Sequence, residues 1–432
     1  MSKKLTKVQI RSIYQAFDPA PLEVKDASLY VDLDKQRGDS DVVDKLIGAI
    51  QFSSRPTAQV LAGHRGSGKS TELRRLQGRL EAEDPKFLTV LCGGTSDIDT
   101  VDVAFPEILI AIVRQVAKVL KDKLDVELKP GYFTDRWKRL KKLFTTEIEF
   151  NEIGLEAGFA KLGMTLKGSP DIRLKLREAF EPDAGNWLTA ANEVLDQATI
   201  AAVKNGYAGL VVIFDELDKM DDAERSVELF VRRQSQLTGF KCHLVYSMPL
   251  ALAYSHHQNS IRQAFNGDVP VVPMTKVRNL PPDGKPHPPG IEMFAEIIRR
   301  RIKPLNLTMN DLFQSEDVRE SLILLTGGQP TELMTMTREA LVGFGAPITQ
   351  EAIERVQREG SRDYARQLLR EHWEIIAEVR KSGVFVPGKT NETQFRELLA
   401  GRALLQYVNA VEWYGLNPLV AAIEPPKNAK SL

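Results

Sequence analysis

The sequence predicts an α/β fold built on a parallel, doubly wound sheet. Three observations carry this. Short apolar runs alternate with helical patterns between residues 57 and 280. One run, Gly209–Phe214, is apolar almost without a break, as a strand buried on both faces of a parallel sheet must be. A glycine-rich turn leads straight from the first apolar run into a helical pattern, and such sheets bind ligands at the carboxyl ends of their strands.

The elements follow in order. Residues 1–56 are mixed and polar, with a helical pattern around Val42–Ile50. Ala58–Ala62 reads as a strand and Thr71–Leu80 as a helix. Phe87–Leu91 is a second strand, and a long helix runs from Phe105 to Leu124. Residues 125–185 break the rhythm and read as an insertion. Within it, Arg136, Lys138, Arg139, Lys141 and Lys142 form a basic cluster with Trp137, Leu140 and Leu143 on another helical face. Glu147–Leu166 alternates polar and apolar residues, a hairpin pattern, and Asp171–Phe180 reads as helix. Trp187–Asn205 returns to helix, Asp222–Leu237 is an amphipathic helix, and Cys242–Ser247 and Val269–Val272 are strands around the helical Ala253–Phe265. Pro281-Pro282 and Pro288-Pro289 mark a linker. Four helical stretches follow, Ile291–Ile302, Leu312–Leu325, Thr331–Val342 and Thr349–Arg358, and then a third unit ending in a hairpin of Leu404–Tyr407 and Val411–Tyr414. The expected domains are an N-terminal segment 1–56, a core 57–280, a helical lid 281–359 and a C-terminal domain 360–432.

Composition narrows the function classes. The chain has 432 residues, 43% hydrophobic and 27% charged, enough for a large core. Lys plus Arg and Asp plus Glu number 58 each, so no net charge draws it broadly to nucleic acid or membrane. The basic cluster at 136–142 is the local exception, read as a solvated helix face or a phosphate-backbone contact. The two cysteines, Cys92 and Cys242, sit in apolar runs and read as buried, reduced thiols. No run approaches the roughly 18 apolar residues of a membrane span, and the N-terminus lacks a signal-peptide core, so a cytoplasmic location is expected.

Gly63-His64-Arg65-Gly66-Ser67-Gly68-Lys69-Ser70 fits G-x-x-x-x-G-K-[ST] in full. The chemistry asks for these residue types. Successive backbone N–H groups must approach a phosphate chain, and glycines leave that approach open. The loop ends at a helix N-terminus, where free N–H groups and the dipole favour anions. Lys69 supplies a point charge for the β- and γ-phosphates, Ser70 a hydroxyl for Mg²⁺, and Thr71 reaches toward the α-phosphate. The expected cofactors are ATP and Mg²⁺.

Val211-Val212-Ile213-Phe214-Asp215-Glu216 supplies the acidic companion. Asp215, at a strand end, suits the metal. Glu216, one residue on, suits a general base acting on the attacking water. Together these residues predict an ATPase, giving ADP and phosphate.

With the loop and the acidic strand in hand, the sequence resembles the AAA+ superfamily, near its boundary with STAND signalling ATPases. Further stretches support the resemblance. His243-Leu244-Val245-Tyr246-Ser247 ends in a polar residue where such proteins keep a γ-phosphate sensor. Arg262 precedes the fifth strand, where AAA+ proteins present an arginine finger to a neighbouring subunit. Gly327-Gly328-Gln329-Pro330 resembles a lid motif whose proline, here Pro330, packs near adenine. Arg37-Gly38 resembles a short signature on the adenine side. One departure is Thr331, where many AAA+ lids carry arginine; Arg338 is a candidate substitute. The resemblance implies an ATP-dependent homo-oligomer and a switch or assembly ATPase working with a protein partner, in a bacterial defence or effector setting. The C-terminal domain resembles a winged helix, which binds DNA in some proteins and packs on partners in others. The alternative function is a DNA-associated ATPase, an initiator- or transposition-type loader.

Overall fold

The computed structural model describes residues 5–38, 41–128, 163–220 and 222–425. The basic cluster Arg136–Lys142 and most of the expected hairpin Glu147–Leu166 lie outside the described residues. The part of that stretch that is described, 163–166, is helical, not extended.

Five strands form the main sheet: β1 Ala58–Gly63, β2 Leu88–Gly93, β3 Leu210–Asp215, β4 His243–Pro249 and β5 Val271–Val272, in the order β2-β3-β4-β1-β5. β2, β3 and β4 pair in parallel, with Gly93 opposite Asp215 and Phe214 opposite Tyr246. Every residue of β1 and of β3 is buried, which is why both read as unbroken apolar runs.

The described chain divides into two compact units. One comprises residues 42–62 and 72–271 and holds nearly all of the sheet. The helix Phe105–Leu124, opened by Pro106, packs Ile108, Ile112 and Val116 against the sheet residues Leu88, Val90 and Val212 in one cluster, to which the helix Ala184–Lys204 adds Ala191, Leu195 and Ala198. Both cysteines are free and buried there, and burial pushes both thiols up. The helix expected over Asp222–Leu237 is three segments: Ala223–Val227, a π-helical turn Glu228–Arg232, and Gln234–Leu237. The wide turn re-phases the apolar stripe, keeping Leu229, Phe230 and Leu237 inside.

The other unit comprises residues 1–41, 63–71 and 272–432. Its centre is the four helices expected as a lid, Pro288–Ile302, Glu316–Leu325, Pro330–Phe344 and Gln350–Gln367, whose Phe294, Ile298, Leu322 and Leu333 share one core. Pro288-Pro289, expected in a linker, instead start the first of these helices, where proline's missing N–H costs nothing. An N-terminal helix, Lys7–Ala16, joins this core through Ile13. The sequence pattern did not mark it, although Thr6 and Gln9 make a capping box, a readable start signal. The C-terminal part contains helices His372–Ser382 and Glu392–Ala400 and an antiparallel hairpin, β6 Leu404–Val408 with β7 Glu412–Leu416. Trp413 is buried and stacks on Tyr407 at 4.3 Å between ring centroids, so it is a core residue.

Candidate functional site

β1 delivers the chain into the loop Gly63–Gly68, and the helix Lys69–Ala82 begins where the loop ends. Gly66 and Gly68 have φ of +84° and +99°, left-handed values that side-chain-bearing residues seldom adopt. They turn the backbone so that the loop curls back over Lys69. The Lys69 ammonium is buried and donates to the carbonyls of Gly63 and His64, each at 2.7 Å. A cation is thus fixed inside the loop, where a phosphate chain requires it. Arg65, Gly66, Gly68, Ser70 and Thr71 are half-buried, and the Thr71 hydroxyl accepts from the Leu22 N–H at 3.3 Å.

Segments distant in sequence but within the same unit enclose this loop. Arg37 is buried and donates from Nη2 to the carbonyl of Ser67, holding the Arg37-Gly38 segment on the loop itself. Pro330 is the first residue of its lid helix, and the next residue, Thr331, donates from its backbone to the Gly66 carbonyl at 3.4 Å. The lid glycines seat this turn: Thr275 N–H donates to Gly328, and the Tyr407 hydroxyl donates to the Gly327 carbonyl at 2.7 Å. Arg338 stacks over the Tyr14 ring at 3.8 Å, so its guanidinium serves the N-terminal helix.

One loop residue does something the motif does not require. His64 is buried, and its Nε2 accepts the backbone N–H of Gln406 on β6 at 2.9 Å. Accepting through Nε2 places the ring proton on Nδ1. Burial and the nearby charges of Lys69 and Arg402 lower the His64 pKa to about 3, so the ring is neutral at physiological pH. No sequence signal marked Gln406, which lies 342 residues away.

In the other unit, β3 ends at Asp215. The carboxylate is buried; Oδ1 accepts the Glu216 N–H at 2.7 Å and Oδ2 faces Arg74 Nη1 at 3.4 Å. Glu216 turns the chain with φ of +68°, unusual for a glutamate and held by its surroundings. A Cβ at Gly94 would lie 3.0 Å from that of Glu216, so only glycine leaves the glutamate its place. The Glu216 carboxylate pairs with Lys219. Ser247 is fully buried at the end of β4, and its hydroxyl accepts the Leu217 N–H at 2.9 Å. Asp215, Glu216 and Ser247 therefore form one bonded group at neighbouring strand ends. Arg262 is half-exposed at the end of the helix Gln258–Ala264, 3.8 Å from Asp268. Among the described residues no cluster of three or more His, Cys, Asp or Glu could hold a metal, and no helix is long and apolar enough to cross a membrane.

A parallel five-stranded sheet with this loop at the end of β1 is an α/β P-loop fold of AAA+-like arrangement. No family model matches the chain, and no curated protein does. Three solved structures are similar. The Walker-type ATPase of Pyrococcus abyssi has a TM-score of 0.45 at 14% identity, covering 94% of this chain and 98% of that one. The ORC2 protein of Aeropyrum pernix, in ADPNP and ADP complexes, has a TM-score of 0.41 at 12% identity, covering 94% of this chain and 93% of that one. The Cdc6p of Pyrobaculum aerophilum has a TM-score of 0.40 at 14% identity, covering 94% and 95%. Likeness at this level bears on neither activity nor partner.

Proposed function

We propose that this chain binds Mg-ATP at Gly63–Thr71 and hydrolyses it, using the cycle as a switch or assembly ATPase with a protein partner. The observation that carries this is the phosphate loop in its full context: a buried strand, left-handed glycines, a buried lysine and a helix N-terminus, in sequence. The residues fit the nucleotide. Lys69 is already desolvated, so its charge acts at low dielectric on the β- and γ-phosphates. Ser67 Oγ is buried with no hydrogen-bond partner, beside backbone that suits phosphate oxygens. Ser70, at the start of its helix, offers a hydroxyl of the kind Mg²⁺ binds, and Asp215, at the end of β3, a carboxylate. Bound Mg²⁺ supplies charge neutralisation of the phosphates.

The chain's own groups do the rest. Glu216 accepts a proton from the attacking water, which requires its carboxylate to leave Lys219. Ser247 holds the peptide that follows Glu216 and so aims the base, in addition to the sensor role its strand-end position implies. Arg37 and Pro330 flank the adenine side. Arg262, half-exposed, would serve a neighbour's site in an ATP-dependent homo-oligomer. The hairpin-bearing C-terminal domain, winged-helix-like in its succession of elements, is the surface for the partner, in keeping with a bacterial defence or effector role and a cytoplasmic location.

The test is phosphate release and ATP binding by the whole chain. Lys69→Ala is expected to abolish ATP binding measured by calorimetry. Glu216→Gln is expected to keep ATP bound and slow release by roughly 10²–10⁴-fold, the usual loss with a general base. Wild-type affinity in Lys69→Ala sinks the binding site, and unchanged release in Glu216→Gln removes the base. Turnover strongly stimulated by DNA would favour a DNA-associated ATPase instead.

A further inference from the structure

The strand β6 lies against the phosphate loop, and one of its side chains has no partner there. Three contacts fix the strand: Gln406 N–H donates to His64, the Gln406 carbonyl accepts from Met274 N–H at 2.9 Å, and Val408 packs on Gly38, next to Arg37. Side chains alternate along a strand. Leu405 and Tyr407 point into a small core with Met274 and Trp413. Gln406 therefore points the other way, to the face that Val408 presents to Gly38. Its side chain is wholly buried, and neither Oε1 nor Nε2 has a hydrogen-bond partner.

Gln406 is not alone. Ser67 Oγ in the loop and Gln329 Oε1 in the lid turn that touches Gly66 are also buried without partners, whereas the His64 ring meets the backbone of Leu399. Buried unpaired polar atoms are rare because each loses its bonds to water without gaining others. Here they gather on the three segments that meet at one loop. The donors in this set are the two N–H groups of the Gln406 amide and the hydroxyl of Ser67. Neutral donors aimed at an anion make charge-assisted bonds, stronger than bonds to neutral acceptors. A leucine or valine would pack better at position 406 if packing were its only task.

We propose that Gln406, carried to the loop by the C-terminal hairpin, is a contact residue for the phosphate end of the bound nucleotide. This rests on the phosphate-loop reading and deepens it: filling the loop then pins the C-terminal hairpin in place, and emptying it removes one of the hairpin's attachments. The ligand class is a polyphosphate, with or without a nucleoside attached.

The experiment compares wild type, Q406L and Q406E in calorimetric titrations with ATP and with tripolyphosphate, which has no base or sugar. Q406L is expected to weaken both by about tenfold to a hundredfold, the loss of a hydrogen bond to a charged group. Q406E, nearly the same shape, is expected to bind both more weakly still, because a carboxylate would face phosphate. A buried carboxylate also weakens the fold by itself, so the ranking is read only between variants that urea melts show to be equally folded, and there a residue that only supports the fold gives no difference in affinity. Because buried substitutions can unfold a hairpin, a second measurement uses wild type alone: hydrogen exchange at the amides of Gln406 and Tyr407, with and without tripolyphosphate. Slower exchange with tripolyphosphate supports the proposal. Unchanged exchange, unchanged affinities in Q406L, or equal binding by Q406E and Q406L overturns it. If wild type binds ATP no better than Lys69→Ala does, the phosphate-loop reading itself fails and the proposal falls with it.

Discussion

Protonating His64 should loosen the fold, and by a calculable amount. The ring is buried, neutral, and accepts a backbone N–H through Nε2, so a proton there both adds a buried charge next to Lys69 and removes the acceptor. Its pKa falls from 6.5 to about 3 on folding. The unfolded chain therefore binds the proton first as pH drops, and stability present above pH 6.5 is lost progressively down to about pH 3. At about 1.4 kcal/mol per pH unit, the loss between pH 7 and pH 5 is about 2 kcal/mol, and between pH 7 and pH 4 about 3 kcal/mol. Other groups titrate in the same window. Burial raises the Glu107 carboxyl to about 7, which acts in the opposite sense: stability falls as pH rises from 4.5 through 7. The measurement must therefore be a difference. Urea unfolding of wild type and His64→Gln at pH 7, 6, 5 and 4 isolates the ring, since glutamine offers an acceptor but takes no proton. The gap between the two proteins should change by about 2 kcal/mol from pH 7 to pH 5, in favour of the variant. A gap that stays constant would refute the neutral, buried histidine and with it the bond to β6.

Three further outcomes are expected. Ser247→Ala leaves the buried Leu217 N–H without an acceptor and should destabilise the protein by about 1–3 kcal/mol in denaturant melts, with slower phosphate release at unchanged ATP affinity. Gly328→Ala would put a Cβ 1.7 Å from the Thr275 carbonyl oxygen at a φ of +76°, so the turn must move; limited proteolysis should cut the lid several-fold faster than in wild type. Arg262→Ala in the Glu216→Gln background should abolish Mg-ATP-dependent assembly in light scattering, and equal assembly by both proteins would make Arg262 a surface residue only.

The strands were legible because burial on both faces leaves short apolar runs closed by turn residues, whereas the equally apolar Ile108–Val113 sits inside a longer helical pattern. Ala58–Ala62 stops one residue short of β1, and Gly209–Phe214 is β3 shifted by one residue. The phosphate loop was legible for a related reason: its glycines, lysine and hydroxyl act locally, through their own backbone. What pairs with the loop was not. Arg37 meets Ser67 across 30 residues and His64 meets Gln406 across 342, and no periodicity encodes such a distance. The turn over Glu228–Arg232 was missed for another reason, since one widened turn shifts the phase of a stripe without altering its composition. The fates of Ser247 and Lys219 were hidden because a hydroxyl or an ammonium advertises chemistry, while its bonds to Leu217 and Glu216 depend on a left-handed glutamate that sequence does not announce.

The bond between His64 and Gln406 also sets a schedule. At the usual 5–20 residues per second of synthesis, the 342 residues between them take about 17–68 s to make. The loop leaves the ribosome well before the strand that closes over it has been made. During that interval a nascent chain carries a phosphate loop with one wall missing. A message cut short before residue 404 yields a product in that same unfinished condition, with the sheet strands all present and the loop uncovered on one side.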